Sequence, residues 1–245
     1  MKLLENPRLA AMTAFLTDRP VSERILSGRV EAFSCKRAGE DKKLSKKLEA
    51  QYNDELETSP SQQQQSPLGT LEDASTRRLL IDLISTMNAS FPDHDFSSLR
   101  PDQFTRAHYQ VVSRSINRHL SELGTEVLEE LWAAAEEAVQ LNECEVYSYV
   151  PDLDSDPFSA DGIIWSFNYF FFNKSLKRIV YLTCVARPRY RETTTATTKG
   201  GRGGGGAATT RGDDNAVPSD DDDVADDDMA AAAAVDEQHF LADDP

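Results

Sequence analysis

Three carboxylates stand at alternate positions in Asp152-Leu153-Asp154-Ser155-Asp156, the spacing that opens an EF-hand calcium loop. The rest of that loop is missing. Its sixth position normally takes glycine for a sharp turn and here is Pro157; its twelfth supplies a bidentate glutamate and here is Ile163. A structured acidic turn, with Pro157 fixing φ and an aspartate capping backbone N–H groups, accounts for the same residues. His94, His108, His119 and His239 share no ligand spacing with Cys35, Cys144 and Cys184, so no metal centre is expected. The glycines at 203–206 are followed by no Gly-Lys-Ser/Thr, and no Gly-x-Ser-x-Gly elbow occurs. The expectation is a non-enzymatic protein without cofactor, with a metal-dependent enzyme built on the Asp-rich turn as an alternative.

Aromatic residues carry a second possible chemistry. Eleven of the 20 lie between Tyr147 and Tyr190, with Lys174, Lys177, Arg178, Arg187, Arg189 and Arg191 nearby. Exposed strand aromatics beside cations would stack on the bases of single-stranded RNA. Buried, the same rings would be the core of a domain this size, and that is the favoured reading. Ser59-Pro60 and Ser66-Pro67 suit proline-directed kinases, and Ser45 follows Lys42-Lys43-Leu44 in a basophilic pattern. A phosphate at each would add about −1.5 to −2 charges beside the lysines. Arg187, Arg189 and Arg191 are nuclear-import candidates, or simply the solvated end of a strand.

These residues must be held by a folded part that the composition delimits. The net charge is −16, but of the 42 acidic residues 13 lie at or beyond Asp213, where no Lys or Arg occurs. Residues 1–212 therefore hold 29 acidic against 26 basic residues, too even a balance for a pervasive basic field. Strong direct nucleic-acid binding is not expected. Three scattered cysteines fit a reducing compartment. The polar start and the short apolar runs suggest neither a leader nor a membrane span, so a soluble intracellular protein is expected.

Residues 1–38 read as the first part of a globular domain, with a short helix at 11–16 and a strand at 26–35. Residues 39–71, rich in Lys, Gln and Ser-Pro, read as a disordered regulatory loop; Leu44, Leu48, Tyr52 and Leu56 recur every four residues, which allows a transient helix. Residues 72–190 read as the remainder of the domain. Apolar stripes at Leu79, Leu80, Leu83, Ile84, Met87 and Phe91, at Tyr109, Val112, Ile116, Leu120 and Leu123, and at Val127, Leu128, Leu131, Trp132, Ala135, Ala138 and Val139 predict three helices. Strands follow at 146–149, 163–172 and 178–185, the last two as an antiparallel hairpin. Trp165, Phe167, Tyr169 and Phe171 share one strand face, and Ser166, Asn168, Phe170 and Phe172 the other, which predicts a strand covered on both sides. Residues 191–245 form a low-complexity Gly/Asp/Ala tail, expected to be disordered. The fold class is α/β of the α+β type: one domain with an antiparallel β-sheet packed against helices.

Three segments together resemble a known family. Met1-Lys2-Leu3-Leu4-Glu5-Asn6, with Gly28-Arg29-Val30-Glu31 and Ser34-Cys35-Lys36, is similar to the first box of the Maf-type global repressors of RNA polymerase III. Tyr147-Ser148-Tyr149-Val150-Pro151-Asp152-Leu153-Asp154-Ser155-Asp156-Pro157-Phe158 resembles the second. Trp165-Ser166-Phe167-Asn168-Tyr169-Phe170-Phe171-Phe172-Asn173-Lys174, with Leu176-Lys177-Arg178-Ile179, resembles the third. The tail and the short Gln-rich loop depart from the pattern. The resemblance implies a one-domain repressor that binds the clamp region of RNA polymerase III and prevents productive engagement of transcription factor IIIB. It implies inhibition by TOR-type and protein kinase A-type kinases, and activity in the nucleus after phosphatases act, with a phosphorylation-dependent split between nucleus and cytoplasm.

Overall fold

Strand alternation and helix periodicity combine into helices on both faces of one sheet. The computed structural model describes residues 1–36, 39–58, 66–151 and 156–189. In chain order these give β1 (Lys2–Leu3), α1 (Pro7–Leu16), β2 (Arg19–Val21), β3 (Arg24–Ser34), α2 (Glu40–Thr58), α3 (Ala74–Ser90), β4 (Phe104–Ala107), α4 (Tyr109–His119), α5 (Thr125–Val139), β5 (Glu145–Tyr149), β6 (Trp165–Asn173) and β7 (Arg178–Pro188). The strands form one antiparallel sheet in the order β1-β3-β7-β6-β5-β4, with β2 also paired to β3. This is the α+β architecture expected, and β6–β7 is the expected hairpin.

The central strands β3, β6 and β7 present apolar groups to both sides, so both faces need covers. On the first face Val180, Leu182, Cys184 and Ala186 of β7 and Phe167 and Phe171 of β6 pack with α1, α4 and α5. On the second face Ile179, Tyr181 and Val185 of β7, Phe170 of β6 and Tyr147 and Tyr149 of β5 pack with α2 and α3. The cover α1 starts at Asn6, whose side chain accepts from the backbone N–H groups of Arg8 and Leu9 at 3.0 and 3.1 Å, with Pro7 in the first turn. It lies so close to β3 that a Cβ on Gly28 would sit 3.0 Å from the Leu16 Cβ and 3.3 Å from the Cys184 Sγ. Gly28 is therefore fixed by helix–sheet approach, not by turn geometry.

Helices α3, α4 and α5 form where the apolar stripes predict. The N–H of Phe91 bonds the Met87 carbonyl at 2.9 Å, and Pro92 then stops α3. Gly124 takes φ +95° just before α5. The internal segment requires a correction. Residues 40–58 are helix α2, not a disordered loop: Leu48 and Tyr52 of the four-residue repeat are buried beside α3, and Lys42, Lys43, Lys46 and Lys47 face outward. Two anchors on one stripe supply the apolar area that the average composition hides. After it, Ser66 and Gly69 close a tight turn, with Gly69 N–H to Ser66 O at 2.9 Å and Ser66 Oγ to Gly69 O at 2.6 Å. The expected loop residues 59–65 and the expected tail, 191–245, lie outside the described residues.

Candidate functional site

The second and third boxes occupy neighbouring strands. Val146, Tyr147 and Ser148 of β5 pair with Phe171, Phe170 and Tyr169 of β6. Beyond β5 the chain returns through Asp156, which is buried although it carries a carboxylate. Its oxygens accept hydrogen bonds from the Tyr149 hydroxyl and, at 2.8 Å, from the Phe158 backbone N–H. Ser166 Oγ donates to the Phe158 carbonyl at 2.9 Å. Asp156 is thus the capping aspartate of a structured turn and closes the second box on itself through Tyr149, while the Ser166–Phe158 bond ties that box to the start of the third. Pro151 and Pro157 flank this turn half-buried. Asp152, Asp154 and Ser155 lie outside the described residues. Among the described residues, no three His, Cys, Asp or Glu side chains form a group able to hold a metal ion.

The polar residues of the third box are internal connectors. Asn168 is buried between the sheet and its second cover, and its Oδ1 accepts from the Tyr181 hydroxyl and from Thr183 Oγ1, each at 2.7 Å. Asn173, also buried, donates from Nδ2 to the Val139 carbonyl at 2.8 Å and accepts from the Leu176 N–H at 2.9 Å. It fixes both the C-terminus of α5 and the β6–β7 turn, where Lys177 adopts φ +53°.

The aromatic rings serve the core, as favoured above. Phe170 is fully buried and stacks on Tyr181 at 4.6 Å between centroids; Phe171 is fully buried on the opposite face. These rings are unavailable to bases. Trp165 is only half-buried, parallel to Phe167 at 5.8 Å with the His119 ring 4.7 Å away. It borders the core, unlike Phe167, because it begins β6 and has neighbours on fewer sides.

At the opposite end of β6 the surface is charged. Glu145 at the start of β5 takes Lys174 Nζ at 2.8 Å and the Arg106 guanidinium at 3.1 Å, and accepts the Tyr147 hydroxyl at 2.8 Å. Burial disfavours its charged form, but the hydrogen bonds from Lys174 and Tyr147 outweigh that, so its carboxyl lies below the usual range. Burial and the bond to Glu145 push the Tyr147 hydroxyl well up. Arg106 and Glu145 were missed in the sequence, since nothing local marks them as neighbours of Lys174.

The other candidates are scattered. Ser45 is buried in α2, which contradicts its expected place on an accessible loop; it falls on the helix face that carries Leu48 and Tyr52. Ser66 is half-buried in the tight turn, and Ser59 lies outside the described residues. Arg187 and Arg189 are exposed at the end of β7, where the Arg189 N–H bonds the Glu23 carbonyl at 2.8 Å. Arg191 lies outside the described residues.

The fold and sequence have known counterparts. The chain is 38% identical over 195 residues to "Repressor of RNA polymerase III transcription maf1" of Schizosaccharomyces pombe, covering 75% of this chain and 82% of that protein. It is 30% identical over 234 residues to "Repressor of RNA polymerase III transcription" of Dictyostelium discoideum, covering 75% and 84%. The crystal structure of citrus MAF1 in space group C 2 2 21 superposes with a TM-score of 0.61 at 36% identity, covering 74% of this chain and 99% of the citrus chain. A second citrus MAF1 crystal form gives 0.59 at 35% identity with the same coverage. The family model described as "Maf1 regulator" matches residues 26–183, which run from β3 into β7 through both boxes, and the chain belongs to the Maf1 family.

Proposed function

We propose that this protein represses transcription by RNA polymerase III. In this reading it binds the polymerase at its clamp region and prevents productive engagement of transcription factor IIIB, without catalysing a reaction. The observation that carries the reading is the family match across the sheet, with relatives named for this repression and covered over more than four-fifths of their length. The polar groups of the boxes support it. Asp156, Asn168 and Asn173 are spent on holding strands and turns, which suits a rigid binding body.

Regulation by growth-linked kinases and opposing phosphatases, with nuclear action of the unphosphorylated form, completes the proposal. Ser66 and Ser59 are the candidates for direct modification. Ser45 becomes accessible to a kinase only if α2 leaves α3, so its phosphorylation would report an undocked helix. The test is a reconstituted transcription reaction on a tRNA-type promoter that depends on transcription factor IIIB. Added protein should inhibit, with inhibition unchanged by competitor RNA. Failure to bind purified polymerase III at micromolar concentration would overturn the reading.

A further inference from the structure

The charged end of the sheet opens into a groove of about 670 Å³ between the start of α3 and the strands β4 to β6. Four cations from separate parts of the chain converge on it: Arg78 of α3, Arg106 of β4, and Lys174 and Lys177 of the β6–β7 turn. Two carboxylates, Asp82 and Glu145, also line it. They do not cancel the cations in space. Asp82 is buried, and the Glu145 side chain is 26% exposed, whereas those of Arg106 and Lys174 are 62% and 64% exposed. The negative groups are recessed and the positive groups stand at the mouth.

Glu145 acts here as a pivot. One carboxylate holds both Arg106 and Lys174, so neither cation is saturated: a guanidinium has five N–H donors and an ammonium three. The turn that carries the lysines is fixed by Asn173 and by a bond from the Cys35 N–H to the Lys177 carbonyl at 2.9 Å. The rim is therefore largely pre-organised. Between the cations the lining is apolar, with Leu68, Leu79 and Phe172. Cationic rims around an apolar floor recognise side chains that alternate in the same way.

We infer that this groove docks an extended acidic peptide segment of a partner protein, with Asp or Glu side chains on Arg78, Arg106, Lys174 and Lys177 and one apolar side chain on Leu79 and Phe172. The charge of the rim carries the choice of occupant: four exposed cations against two recessed carboxylates attract carboxylate side chains. The inference does not rest on the repressor reading, and its test needs no polymerase. A fluorescein-labelled synthetic peptide of Asp and Glu residues around a central Leu-Phe pair is titrated with the full-length protein and followed by anisotropy at physiological salt. Binding should weaken about tenfold or more in the Lys174→Ala/Lys177→Ala and Arg78→Ala variants. A Lys42→Ala/Lys46→Ala control removes as much charge as the Lys174/Lys177 pair, but from the outer face of α2, and should stay within about twofold of the parent. Unfolding midpoints confirm that each variant is folded. The inference is overturned by absence of peptide binding at micromolar protein, by equal losses in groove and control variants, or by a single-stranded RNA of the same charge that binds as tightly and is lost in the same groove variants.

Discussion

The bond between Tyr149 and Asp156 closes the turn of the second box, and a double-mutant cycle measures it. Both residues are buried, at 2% and 5% exposure, so water offers little replacement for either partner. Tyr149→Phe removes the donor and leaves one buried carboxylate oxygen short of a hydrogen bond, a loss of about 1.5–3 kcal/mol for a charged acceptor. Asp156→Asn keeps an oxygen for the Phe158 N–H but turns an amide N–H₂ towards the Tyr149 hydroxyl, with a loss of similar size. In the double variant the lost bond is counted once, so the two effects should fail to add by about 1–2 kcal/mol. Urea unfolding of the four proteins, followed by circular dichroism, gives the coupling. Additivity within about 0.5 kcal/mol would refute the bond, and with it the idea that Asp156 closes the second box.

Phe170→Ala should cost about 3–5 kcal/mol, because the ring is fully buried against Tyr181 and Phe104; half-buried Trp165→Ala should cost less than half as much in the same urea assay. Ser45→Asp should lower the thermal midpoint by forcing a carboxylate into the contact between α2 and α3, at a cost of about 1–3 kcal/mol, whereas Ser66→Asp in its half-buried turn should move the midpoint less. The Cys184 thiol is pushed up to about 12 by burial; its contribution is complete below the unfolded value of about 8.5 and is lost as pH rises from there towards 12. Urea midpoints from neutral to alkaline pH should therefore fall less steeply for Cys184→Ala than for the parent, whatever the offset between them, and parallel slopes would count against that assignment.

Long periodic segments were legible and short or composite ones were not. The stripe from Leu79 to Met87 predicts α3 because five apolar residues share one face, and β6 shows its two-sided burial in the alternation around Phe170. Helix α2 is hidden by its exposed lysines, although Leu48 and Tyr52 already mark the face that packs. The strands β1, β2 and β4 have two, three and four residues, too few to show alternation, and exist because longer neighbours supply their hydrogen bonds. Capping by an aspartate of the acidic turn was legible, but not the bond of Asp156 to Tyr149, nor the role of Asn168, whose partners Tyr181 and Thr183 are brought by another strand. The groove was least legible of all: its cations at 78, 106, 174 and 177 are adjacent only after the sheet has formed.

The pairing of β3 with β7 has a bearing on how the molecule is made. Arg24 through Ser34 align with Pro188 through Arg178 over their whole length, so the middle of the sheet joins residues about 150 positions apart. Such non-local ladders form slowly, because chain must be looped out before any contact rewards the closure. On the ribosome β3 waits for its principal neighbour while the 143 residues between Ser34 and Arg178 are translated, with its apolar sides served only by early local elements. At ordinary synthesis rates of about 5–20 residues per second that takes about 7–29 s. A chain terminated before β7 would leave the β3 edge opposite β1 and β2 unpaired and open to aggregation.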